Sequence, residues 1–147
     1  VNRYWFALLL VIAICISGIA NASTPCRGID RRLTAQQKIE LAPIVLRQLN
    51  EKRPERQGLT YVTSVDVLRS FRFQSWTILY VAPDNADEAF LFYSHDPMKS
   101  NYVTLDAGSV PFFEEPEIES NIIKMVPGIP VKLAECYAWY FTRGRDI

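Results

Sequence analysis

Cysteine stands at only three positions, 15, 26 and 136, and what becomes of the first decides what the other two can do. Cys15 lies inside an apolar run from Trp5 to Ile16 that follows a single basic residue, Arg3, and loosens at Ser17-Gly18 before reaching Ala20-Asn21-Ala22. A basic start, a short apolar run and a small-x-small site make the pattern of a cleaved secretory signal. The run falls short of the roughly 20 apolar residues that span a bilayer. Residues 1–22 are therefore expected to be removed after Ala22, leaving one exported domain at residues 23–147. Val1 reads as a GUG start and points to a bacterial frame. Ile14 stands where a lipoprotein signal needs a small residue before its cysteine, so no lipid anchor is expected at Cys15.

With Cys15 gone, Cys26 and Cys136 are a pair enclosing almost the whole remaining chain. The periplasm is oxidising, and two cysteines in an exported chain usually bridge there. The sequence thus predicts one disulfide, Cys26–Cys136, clasping the polar arm "STPCRGIDRR" to the C-terminal segment. Neither thiol has the Cys-x-x-Cys spacing of a redox centre. Two cysteines and one histidine also lack the local pairing of a zinc site, so no metal and no cofactor is expected.

The remaining residues suit one domain with its own core. Loss of Arg3 leaves 15 basic and 16 acidic side chains, a balance that recruits no nucleic acid.

Thr34 and Gln37 have capping-box spacing, and Ile39, Ala42, Leu46 and Leu49 follow as a helical stripe, with Pro43 expected to kink or split it. From Tyr61 the period becomes two. Val65, Val67, Phe71 and Phe73 alternate with Asp66, Ser70 and Arg72, the beat of a half-buried strand. "WTILYVAP" is apolar on both phases and reads as a central strand buried on two faces, with Trp76, Ile78 and Tyr80 opposite Thr77, Leu79 and Val81. "EAFLFYS" and "YVTLDAG" give two more strands, and the short connections favour an antiparallel meander. Glu114, Glu115, Glu117 and Glu119 crowd a helix start beside Pro116, with Ile118, Ile122 and Met125 as its stripe. After "PGIP", Leu133, Cys136, Tyr137 and Tyr140 share a helical face; "CYAWYFT" suits helix or strand and is assigned to helix. The predicted class is α+β: an N-terminal helix, a meander of about four strands, and C-terminal helices packed on one sheet face.

Catalytic signals are thin. Ser94-His95-Asp96 holds the residue types of a nucleophilic triad, but adjacent residues point apart and a polar turn explains them better. "DNADE" carries oxygen ligands without the glycine and spaced glutamate of a calcium loop. No catalytic residue is assigned.

Recognition is expected on loops: Arg53 and Arg56 in the charged loop after the first helix, Asp84 and Asp87 after the second strand, His95 and Asp96 after the third. Two functions follow. The first is a small periplasmic binding protein, of inhibitor or immunity type, that occludes an envelope-directed hydrolase or toxin. The second is a small periplasmic enzyme or ligand carrier with a pocket between sheet and helices near His95.

Overall fold

The computed structural model describes residues 24–52, 61–107 and 114–144. The predicted leader, Arg53 and Arg56 lie outside the described residues. Helix α1 (Ala35–Glu51) is followed by the strands β1 (Val65–Phe73), β2 (Trp76–Pro83), β3 (Ala89–Tyr93) and β4 (Thr104–Ala107). Helices α2 (Glu115–Met125) and α3 (Val131–Trp139) come next, and α3 runs directly into a π-helical turn, Tyr140–Gly144. The strands form one antiparallel sheet in the order β1-β2-β3-β4, the predicted meander. No helix among the described residues is long and apolar enough to cross a membrane.

Helix α1 starts where the capping box puts it. Gln37 N–H donates to the Thr34 hydroxyl at 3.2 Å, and Thr34 N–H donates to the Gln37 side chain at 2.9 Å. Its buried stripe is not the expected one: Leu41, Val45 and Gln48 are buried, with Ala42, Leu46 and Leu49 flanking them, while Ile39 is 67% exposed. At about 100° per residue Ile39 sits roughly 120° from the centre of that stripe, out of reach of the sheet. Pro43 does not split the helix. It lies on the exposed side, where the carbonyl it leaves unpaired can turn to water.

Strand β2 is the centre of the molecule. Trp76, Ile78 and Tyr80 belong to one apolar cluster, with Phe90, Phe92 and the C-terminal helices, and Leu79 and Val81 to the other, with α1. The C-terminal helices thus cover one face of the sheet, and α1 covers the opposite face.

Strand β1 departs from the expected single alternation. Its register with β2 slips between Val67 and Arg69, leaving Leu68 as an extra residue in a β-bulge. Val65 and Val67 therefore face α1, whereas Phe71 and Phe73 face the C-terminal helices. One inserted residue reverses the phase of everything after it.

In α2, Pro116 lies in the first turn and Glu115 and Glu117 sit at the positive end of the helix dipole. Ile118 and Ile122 are buried, but Val126 replaces the expected Met125, which is 52% exposed. Gly128, at φ +87, makes the turn that separates α2 from α3. The segment left open between helix and strand is helical, with Leu133, Cys136, Tyr137 and Tyr140 all buried. Cys136 meets Cys26 in the predicted disulfide, S–S 2.03 Å across 110 residues.

Candidate functional site

A partly polar concavity lies on the α1 side of the sheet. It is a cleft of about 500 Å³ between the first turns of α1, the β1–β2 hairpin and the loop after β3. Helix α1 supplies Gln37 and Glu40, the strands supply Ser70, Arg72 and Thr77, and the loop supplies His95 and Asp96. Ser70 and Thr77 reach it because the bulge at Leu68 turns Ser70 to this face, where Thr77 already lies.

The loop is held by two devices. The Asp96 carboxylate accepts from Met98 N–H at 3.0 Å, and the Asp96 carbonyl accepts from Lys99 and Ser100 N–H, so this residue caps its own turn. Buried Gln48 then pins the far end, donating to the Ser100 carbonyl at 2.9 Å and accepting from the Tyr93 hydroxyl at 2.8 Å. Burial, with Tyr102 nearby, pushes the Tyr93 phenol well above its ordinary range, so it stays a neutral donor. His95 itself is exposed, and its Nδ1 lies 3.0 Å from the Ser94 hydroxyl. Asp96 turns to its own backbone and does not orient the His95 ring, so the three neighbours make a turn and not a nucleophile–base–orienter relay.

Gln74, at the tip of the β1–β2 hairpin and on the rim of the cleft, has φ 56, a left-handed conformation that few non-glycine residues adopt. Arg72 is the other unusual member. Its Nη2 donates to Asp30 at 3.0 Å and to the Arg32 carbonyl at 2.9 Å, yet its Nε is buried without a hydrogen-bond partner among the described residues.

The remaining candidates lie elsewhere. Asp84 and Asp87 occupy the β2–β3 loop at the other end of the sheet, roughly 23 Å from His95 by the rise of β2. Asp84 accepts from the Thr63 hydroxyl, and from Thr63 N–H at 3.1 Å, which ties this loop to the segment entering β1. The Thr63 hydroxyl holds its carboxyl below the ordinary range. Asp87 is exposed. The structure thus brings His95 and Asp96 together and leaves Asp84 and Asp87 apart from them. Gln37, Glu40, Arg72 and Gln74 gave no signal as site residues, because only the fold carries their two separate segments to one cleft beside His95.

Among the described residues no group of three or more His, Cys, Asp or Glu is placed to hold a metal ion. Comparison with protein-family models, curated proteins and solved structures finds no match to this chain.

Proposed function

We propose that this chain is a non-catalytic periplasmic binding protein, of inhibitor or immunity type, that occludes an envelope-directed hydrolase or toxin. The observation that carries this reading is the clasped scaffold. A sheet covered by helices on both faces and bridged from its N-terminal arm to its last helix holds its loops on a rigid frame. Rigid presentation lowers the ordering cost of association, which favours tight occlusion. The test is a pull-down from periplasmic extract with the chain from Ser23 as bait. Recovery of one envelope protein whose activity falls as the complex forms is expected; recovery of no envelope protein would overturn the reading.

A second reading, a small-ligand carrier or enzyme using the His95 cleft, is favoured by the cleft itself, a partly polar cavity that gathers Gln37, Glu40, Arg72 and His95. Native mass spectrometry of protein purified without denaturation separates the two. A small molecule retained by the wild type and lost in Arg72→Gln and His95→Ala would support the carrier.

A further inference from the structure

A second concavity opens on the other face of the sheet, about 700 Å³, between the N-terminal arm and the junction of α3 with the π-helical turn. Its floor is aromatic: Phe71 and Tyr140 are buried, and their rings meet edge to face at 4.9 Å. Half-exposed Trp139 stands beside them. Three arginines line this groove: Arg31, Arg32 and Arg69.

They are not equivalent. Asp30 binds Arg32 at 2.9 Å and Arg72 at 3.0 Å, and these contacts, the Arg32 side chain foremost, hold its carboxyl well below the usual carboxylate range. The one carboxylate that lines the groove among the described residues is thereby spent on two arginines. Arg31 and Arg69 are exposed and join none of the ion pairs among the described residues. Two uncompensated cations therefore flank one aromatic floor.

Both are placed by devices that the fold goes out of its way to supply. Arg69 faces the groove only because the bulge at Leu68 reverses the strand; in unbroken alternation it would share the α1 face with Val65 and Val67. Bulges are known to re-aim side chains beside functional sites. Arg31 rides on an arm fixed by the disulfide at Cys26, by the two backbone hydrogen bonds between Asp30 and Arg72, and by the Arg72 fork on Asp30 and Arg32.

We propose that this groove is the docking site for an acidic, extended peptide segment of a protein partner, with carboxylates on Arg31 and Arg69 and an apolar side chain against Phe71 and Trp139. This deepens the partner-binding reading and rests on it. A planar guanidinium matches a planar carboxylate through paired charge-assisted hydrogen bonds. An extended peptide fits better than a charged polysaccharide because β1 is an edge strand. Its outer side carries, among the described residues, one backbone bridge only, at Arg72, and the rest of that edge offers groups a peptide backbone takes up.

The probe is a short fluorescein-labelled peptide of alternating glutamate and phenylalanine, followed by fluorescence anisotropy at low and moderate salt. The glutamine–phenylalanine peptide is its control. Wild-type protein should bind the acidic peptide more weakly as salt rises. Arg31→Gln/Arg69→Gln should lose at least about tenfold in affinity, and Arg47→Gln, on the exposed side of α1, should lose nothing. Both arginines are exposed, so an unchanged melting temperature confirms that the double variant is folded. Equal binding of the control peptide, undiminished binding by the double variant, or tighter arginine-dependent binding of polygalacturonate would each overturn the proposal. An envelope protein captured equally by wild type and double variant sinks the groove and leaves the partner reading standing. Peptide binding through Arg31 and Arg69 without any captured envelope protein supports the groove and removes the inhibitor reading.

Discussion

Glu119 carries the clearest electrostatic cost among the described residues. Burial raises its carboxyl above the ordinary range, and repulsion from Glu135 of α3 and Glu115 of its own helix adds to the shift. A carboxyl raised on folding binds its proton more readily in the native state, so stability falls as pH rises through the unfolded value, and the penalty stays in place above the native one. Glu119→Gln should therefore melt at a higher temperature than wild type at pH 7, and the gain should vanish below about pH 4, where both states are protonated. An equal gain at both pH values would show that repulsion is not its source. Asp30 has the opposite sign. Its lowered carboxyl stabilises the fold above the ordinary range, and that contribution drains away as pH falls well below it. Glu115 and Glu117 sit in the first turn of α2, where the helix dipole favours them. Glu119 lies beyond that turn, and its opponent Glu135 comes from another helix, which no local pattern announces.

At the scale of elements, β2 carries the largest share of the packing. Ile78 is fully buried and pairs across the sheet with Phe71 on one side and Phe92 on the other. Ile78→Ala should cost about 2–5 kcal/mol, measured by urea unfolding, because neighbours locked in a sheet collapse little into the cavity left behind. A loss below about 1 kcal/mol would mean that this run packs loosely. Strand identity was legible here because apolar residues on both phases leave no solvent side, whatever the neighbours. Phase along β1 was not. Val65, Val67, Phe71 and Phe73 are all odd-numbered and apolar, so the sequence reads as one face, and Leu68 fits either side of a bulge equally well. What breaks the alternation is the pairing with β2, a long-range property. The same holds for α1: the arc from Ile39 to Leu49 is broad enough to allow several orientations, and the sheet selects the one centred on Val45.

Across the whole molecule, the two-sided burial of β2 already required a cover on each face, and the chain provides it by sending α1 to one side and α2 and α3 to the other. The clefts could not be read in the same way, since each collects short polar segments that meet only when the layers close. One covalent tie joins the two ends of the described chain on the α3 side of the sheet. The Cys26–Cys136 bridge closes 110 residues, and by the chain-entropy account a loop of that length is worth on the order of 4–5 kcal/mol. Domains of this size are stable by roughly 5–15 kcal/mol, so Cys26→Ser/Cys136→Ser should lose a large fraction of the total, seen as a lower urea midpoint with folding still cooperative. The arm keeps other holds, because Ile29 is buried against the same core as Cys136 and Arg72 still grips Asp30. Loss of the bridge should consequently loosen residues 24–32 without unfolding the sheet, and amide exchange should rise first there. Wild-type protein treated with reductant should reproduce the double variant's midpoint. A variant that matches oxidised wild type within about 1 kcal/mol would show that Ile29 and Arg72 dock the arm unaided and that the bridge adds little. Thiol titration in guanidinium without reductant gives the independent check: no free thiol is expected from Cys26 and Cys136, and two would mean that the bridge does not form.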